Sequence, residues 1–323
     1  MSSLHESFDA LIHGNLPIEE GKEILLKINE RGVTANDLMA LLQVLRAEQK
    51  SFSVSTSDYV DIVGTGGDGG RTFNISTTAA LMAAGAGGRV LKHGNRAFSS
   101  QSGSADVLEK LGIRLDFTFE ETLDAIQKKM PFIFLYAPLF LPILKSVSLL
   151  RKELKIFTIF NLVGPLLNPA KVQKALIGVS KKEYLDLYAE VICQDPHLLL
   201  NDVWIVHSED GLDEISLTGK TYIQKVIQKK KLPLEVFDPQ DYGFSYCTPE
   251  DLKGASPSEN AILIQDILAG NEKGPKRNVG VLNAAALLSI DIKTEMQEAI
   301  LHIQRSIDSK EVQACFEQIR IKN

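Results

Sequence analysis

The sequence predicts an α/β fold with a small helical unit at its N-terminal side, on three observations. From residue 60 onward, short apolar runs that read as strands alternate with segments of helical length. The first fifty residues, by contrast, carry only helical periodicity. Finally, glycine punctuates the chain at Gly64, Gly66, Gly67, Gly69 and Gly70, where the first apolar run gives way to a helix.

Residues 4–13, 18–31 and 35–49 each repeat apolar side chains three or four apart, with Pro17 near one start and Thr34 ahead of Asn36 and Asp37 at another. Residues 51–57 read as a serine-rich linker. Residues 60–63 form the first strand. An N-I-S-T segment then leads into an alanine-rich helix over 78–86, with Ser76 or Thr77 placed to cap it. Further on, 120–129 reads as an amphipathic helix, 132–136 as a buried strand, and 139–154 as a helix interrupted near Pro142. Strands at 176–179 and 203–206 enclose a helix at 181–192. Helices over 250–270, 277–289 and 293–306 follow. There is no internal repeat, and Lys229-Lys230-Lys231 reads as a solvated turn.

The 323 residues suffice for two domains. With 44% hydrophobic and 24% charged residues, the composition is that of a soluble globular protein. A net charge of −6 argues against broad binding to nucleic acid or anionic membranes. Cys193, Cys247 and Cys315 are scattered without C-x-x-C spacing and read as reduced thiols. Residues 1–17 lack the pattern of a signal peptide. Pro138, Pro142, Lys145 and Ser146 break up the best candidate for a membrane span. These features lead to the expectation of a cytoplasmic protein with neither nucleic acid nor membrane as partner.

A strand, a glycine-rich turn and a helix N-terminus together make an anion site, because converging N–H dipoles favour phosphate. Next come Lys92-His93-Gly94-Asn95-Arg96 and the hydroxyls of Ser99, Ser100, Ser102 and Ser104, cations and donors suited to a polyphosphate. The turn is neither a dinucleotide fingerprint nor a Walker loop: Asp68 interrupts the first pattern, and no G-K-[ST] completes the second. A carboxylate in a phosphate cradle calls for a metal or a ligand hydroxyl. Asp213-Glu214, within EDGLDEIS at 209–216, is a second candidate. An anonymous acidic pair is usually a solvated turn, but polyphosphate chemistry needs Mg²⁺, held by few carboxylates. In an ideal strand these two side chains would point to opposite faces, so joint metal binding predicts a bend there or water-bridged metals. Of six histidines only His93 lies in a motif; His5, His13, His197, His207 and His302 lack metal spacing.

The blocks GTGGD (64–68), TFNIST (72–77), KHGNR (92–96) and SSQSGSAD (99–106) resemble consecutive signatures of the anthranilate phosphoribosyltransferases, within the nucleoside-phosphorylase-like (class IV) phosphoribosyltransferases. The likeness continues through RKEL (151–154), TIFNLVGPLLNP (158–169), GLDEIS (211–216) and NAAA (283–286), over essentially the whole chain. It implies a helical domain over 1–57, joined by a helical segment near 163–193, and an α/β domain over 58–323 whose central mixed sheet is flanked by helices. The implied reaction transfers phosphoribosyl from 5-phosphoribosyl 1-diphosphate to anthranilate, giving N-(5-phosphoribosyl)anthranilate and diphosphate in tryptophan biosynthesis. Two Mg²⁺ per chain and a homodimer built through the helical domain are implied as well.

By the same resemblance the sugar diphosphate would meet Gly64, Gly67, Asp68, Thr72, Asn74, Ile75, Ser76 and Thr77 on the first motif. It would also meet Lys92, His93, Gly94, Asn95, Arg96, Ser99, Ser100 and Ser104 on the second. Anthranilate would be held by Gly64, Asn95 and Arg151, whose planar fork suits a carboxylate. Mg²⁺ would be held by Ser76, Asp213 and Glu214, and Lys92, Asn95 and Arg151 would carry the catalysis. Two departures from the family pattern stand out. The link from residue 45 to 61 is short, as if a helix were missing, and Leu141 stands before Pro142 where the family has a histidine. The second leaves open a related transferase with a different aromatic acceptor. A non-catalytic nucleic-acid-binding relative would need a basic cleft and eroded metal residues. A pyrimidine nucleoside phosphorylase would lack the K-H-G-N-R and G-L-D-E-I-S combination.

Overall fold

The computed structural model describes residues 4–52, 55–67, 70–97 and 101–322, so the expectations placed on Asp68, Ser99 and Ser100 lie outside the described residues. Three helices come first: α1 (Leu4–Ile12), α2 (Ile18–Arg31) and α3 (Ala35–Glu48). Thr34 caps α3 in a reciprocal box with Asp37, whose carboxylate also takes a two-pronged bond from Arg31 at 2.8 and 2.7 Å. The heptad-like spacing of Leu38, Leu41, Leu42 and Leu45 turns one face of α3 onto Phe8, Leu11 and Ile12.

The link to the sheet, read from the sequence as a serine-rich linker, is anchored by an aromatic side chain. Phe52 is 5% exposed, stacks on Phe119 at 4.4 Å and tilts against Phe140 at 5.4 Å. The Thr56 hydroxyl donates to the Ala170 carbonyl. One aromatic anchor outweighs the serines around it. Phe52→Ala is therefore expected to cost about 3–5 kcal/mol, read as a lower urea midpoint at unchanged slope.

The chain continues through β1 (Val60–Gly64), α4 (Ile75–Gly85), β2 (Val90–Gly94), α5 (Ser104–Lys110), α6 (Phe119–Gln127) and β3 (Phe132–Tyr136). Short helices α7 (Ala137–Phe140), α8 (Ser148–Leu154) and α9 (Ile159–Val163) precede β4 (Lys174–Gly178). Then follow α10 (Glu183–Gln194), β5 (Asp202–Ser208), β6 (Thr221–Ile227), β7 (Lys230–Lys231) and β8 (Glu235–Phe237). Four longer helices come last: α11 (Pro257–Leu268), α12 (Pro275–Ile292), α13 (Met296–Asp308) and α14 (Glu311–Lys322). The last of these was not expected from the sequence.

The strands form a mixed sheet in the order β3-β2-β1-β4-β5-β6-β7, parallel as far as β5 and antiparallel beyond it, with β8 also pairing β6. Because strand side chains alternate, the sheet feeds two cores. Val60, Ile62, Val90, Phe132, Phe134 and Leu176 face α4, α5 and the last four helices. Leu91, Ile133, Leu135, Ala175, Ile177, Val203 and Ile205 face α9, α10 and the first three helices. The N-terminal helices thus share a core with one face of the sheet.

On the other face, α4 is buried nearly all round, and its alanines pack against Ala284, Ala285 and Ala286 of α12. At Gly85 an added Cβ would lie 2.5 Å from the Val312 backbone, so α14 docks where α4 has no side chain. Lys229 corrects the reading of a solvated lysine turn. Its ammonium donates to the carbonyls of Ile192, Asp195 and Leu198, closing off the end of α10. No helix among the described residues is long and apolar enough to cross a membrane.

Candidate active site

A cavity of about 490 Å³ opens beyond the carboxyl ends of β1 and β2, the usual position for a ligand on such a sheet. Gly64, Thr72, Asn74, Ile75, Ser76 and Thr77 line it from the first motif, and Lys92, His93, Gly94, Asn95, Arg96 and Ser104 from the second. Arg151, Asp213 and Glu214 reach the same space from α8 and from the turn after β5. Gly67 stands behind this wall: at φ +96° it faces the Phe157 ring, which a Cβ would meet at 2.8 Å.

The acidic turn sits directly on the sheet. Gly64 and Gly178 are register partners in β1 and β4. A Cβ on Gly64 would lie 2.1 Å from Asp213 Oδ2, and one on Gly178 would lie 1.6 Å from the Asp213 carbonyl oxygen. Only two adjacent glycines admit the turn there. Gly178 was missed in the sequence, where a lone glycine at a strand end carries no distinguishing signal. The backbone bends at both Asp213 and Glu214, as joint use of the two carboxylates requires.

Asp213 Oδ2 accepts from the Gly66 N–H at 2.8 Å, and Glu214 Oε1 accepts from the Ser76 N–H at 3.1 Å. This corrects the expected cap of α4. Ser76 and Thr77 lie within its first turn, so the terminus is satisfied by a carboxylate 138 residues away. Lys92, 2% exposed, donates to the Ile62 carbonyl at 2.6 Å and to Ser76 Oγ at 3.4 Å. Burial pushes its ammonium down from the ordinary lysine range, against the pull of Asp61, Glu214 and Asp213. The buried Thr77 hydroxyl has no hydrogen-bond partner among the described residues.

His93 is brought to the cavity, but its ring is committed elsewhere. Nδ1 meets Asp61 Oδ2 at 2.5 Å, and Nε2 meets the Gly164 carbonyl at 2.9 Å. Burial pushes the Asp61 carboxyl up, yet His93, Lys92 and Asn168 together hold it below the usual range. The imidazole therefore ties β1 and β2 to the segment after α9 and has no ring nitrogen left for a phosphate. Arg96 lines the cavity with its guanidinium paired to Asp106 at 3.0 Å and Glu109 at 2.9 Å on α5. Asn74 is fixed by Ser102 and Asn260, while Ser104 donates to the Asn95 carbonyl.

The far wall is apolar, with Phe140, Leu141, Leu144, Phe160 and Leu167 around Arg151. Burial lowers the Arg151 pKa, since its charge is partly withdrawn from water. Among the described residues no group of three or more His, Cys, Asp or Glu could hold a metal. Two carboxylates and the Ser76 hydroxyl are all-oxygen ligands too few for a cage, a set that suits Mg²⁺ sharing phosphate oxygens.

The model of the glycosyl transferase family, a/b domain, matches residues 56–311. An anthranilate phosphoribosyltransferase of Thermoanaerobacter sp. (strain X514) is 42% identical over 287 residues, covering 88% of this chain and 83% of the relative. The chain belongs to the anthranilate phosphoribosyltransferase family. Among solved anthranilate phosphoribosyltransferases, that of Thermus thermophilus superposes with a TM-score of 0.88 at 35% identity, covering 98% of this chain and 94% of that one. The Saccharomyces cerevisiae anthranilate phosphoribosyltransferase in complex with PRPP and Mg gives 0.87 at 27% identity, covering 98% and 91%. Both share the mixed sheet with flanking helices described above.

Proposed function

We propose that this protein is an anthranilate phosphoribosyltransferase in tryptophan biosynthesis, passing phosphoribosyl from 5-phosphoribosyl 1-diphosphate to the anthranilate amine with release of diphosphate. One observation carries the reading: a single cavity joins the carboxylate-capped end of α4 to an apolar wall bearing Arg151. The first half suits a metal-bound sugar diphosphate, the second a small aromatic acid.

Mg²⁺ bound at Asp213, Glu214 and Ser76 would neutralise the departing diphosphate. Two ions per chain suit the split between one carboxylate near Gly66 and one near Ser76. Lys92 supplies a fixed cation beneath the phosphates, and the Thr77 hydroxyl supplies an uncommitted donor. Asn95 lies between sugar and acceptor. Arg151 turns the anthranilate carboxylate so that its amine faces the ribose, and Phe140, Leu141 and Phe160 cover the ring. An aniline-type amine is neutral at pH 7, so no general base is required.

The reading is tested by following anthranilate fluorescence with added sugar diphosphate and Mg²⁺; no loss of signal at any metal concentration would refute it. Lys92→Ala is expected to raise KM for the sugar diphosphate about ten-fold or more, with the anthranilate KM within about two-fold. Equal effects on both would mean that Lys92 only supports the fold. A homodimer fits the exposed Ile18 and Leu26 on α2 and Leu149 on the adjoining α8, and a cytoplasmic location fits cysteines kept as thiols. Leu141, buried in the cavity wall, favours a second reading in which a less polar aromatic acid is preferred. Comparing substituted benzoates decides between the two, since a better acceptor than anthranilate would reassign the substrate.

A further inference from the structure

The NAAA block contributes more than the alanines that pack against α4. Asn283 on α12 is fully buried, and its amide grips the backbone of Ile215, the residue directly after Glu214. Oδ1 accepts from the Ile215 N–H at 3.0 Å, while Nδ2 donates to the Ile215 carbonyl at 2.8 Å and to the Val279 carbonyl at 2.9 Å. Both amide hydrogens meet acceptors and the oxygen meets a donor, so the side chain fits in one orientation only. It acts as a strand partner one residue long, set beneath the acidic turn.

A second brace closes the turn from the solvent side. Asp210 Oδ1 accepts from the Leu212 N–H at 3.0 Å. Its Oδ2 accepts from the Ser216 hydroxyl at 2.8 Å and from the Thr218 hydroxyl. The loop from 210 to 218 is thereby pinned on both flanks of Asp213-Glu214, while Gly64 and Gly178 clear its floor. A bend left to itself would scatter the two carboxylates; groups behind metal ligands typically fix their aim.

We propose that Asn283 and Asp210 are positioning residues for the magnesium-binding carboxylates, setting metal affinity without touching metal or substrate. The inference rests on the assignment of Asp213 and Glu214 to Mg²⁺. The test is calorimetric titration of Mg²⁺ into protein with 5-phosphoribosyl 1-diphosphate and no anthranilate, so that no turnover occurs. Asn283→Ser, too short to reach Ile215, and Asp210→Ala, at an exposed position, are each expected to weaken the metal-dependent binding about ten-fold. The anthranilate KM should stay within about two-fold, and excess Mg²⁺ should restore kcat, which a general loss of structure would not allow.

Unchanged metal affinity in a folded Asn283→Ser protein would overturn the proposal, as would a parallel loss of metal and anthranilate binding. Should Asn283→Ser fail to fold, Asp210→Ala decides by the same criterion. The double variant Asp213→Ala, Glu214→Ala separates the two levels. If it binds Mg²⁺ with the sugar diphosphate as the parent does, the metal assignment itself falls, and the positioning role with it. If it does not while both positioning variants do, only the role of Asn283 and Asp210 is refuted.

Discussion

Replacing Asp213 and Glu214 together by alanine is expected to lower kcat by roughly three orders of magnitude and to abolish its dependence on Mg²⁺. The magnitude follows from what the two side chains do. Among the described residues they are the acidic groups that line the cavity, Glu214 meeting the end of α4 and Asp213 the Gly66 N–H, and the leaving diphosphate carries more charge than Lys92 alone can offset. The fold should survive, because the turn keeps its ties through the Ile215 backbone and the Asp210 side chain when the two carboxylate bonds to Gly66 and Ser76 are lost. Loss of the carboxylate at Ser76 N leaves α4 without its cap, which costs about 1 kcal/mol. The measurement is a rate series over Mg²⁺ concentration followed by anthranilate fluorescence, with a thermal melt beside it. A variant that keeps a tenth of the parent rate and still responds to the metal would remove these residues from the mechanism.

Arg151→Ala is the second large effect. The guanidinium lies partly out of water in an apolar wall, a setting that makes its pairing with an incoming carboxylate strong. Truncating one member of such a pair typically costs about 2–5 kcal/mol, so the anthranilate KM should rise roughly thirty-fold or more. Arg151→Lys should recover only part of this, since a point charge cannot reproduce the two-pronged fork. The KM for the sugar diphosphate should hardly move. If the pattern were reversed, with metal-sugar binding lost and acceptor binding kept, the two halves of the cavity would have been exchanged. Steady-state kinetics with each substrate varied in turn separates these outcomes.

The parts of this molecule that were legible in its sequence are those written in local signals. The glycine turn after the first strand, the alanine helix behind it and the K-H-G-N-R loop all met in one cavity as expected. So did Arg151 and the acidic pair, far apart along the chain, but only because the family resemblance joined them. What spacing could not show was where side chains turn once strands pair. Nothing near Ser76 announces that Glu214 caps its helix, and nothing in K-H-G-N-R says that His93 faces Asp61 while Arg96 swings to α5. Phe52 among serines and Lys229 among lysines were misread for a related reason. Composition averages over a segment, whereas a single buried ring or a single ammonium over three carbonyls decides its structure. The last helix, α14, finds its seat only because α4 presents Gly85 to it.

Two N–H groups at the cavity, those of Gly66 and Ser76, are already answered by the protein's own acids. A naked polyanion entering the cavity would meet like charge there. One that arrives with its counterion can trade places, the acids turning to the cation and the amides to the anion. Charge is thereby weighed before shape: the same two acids that oppose a bare polyanion would favour one that brings its own cation.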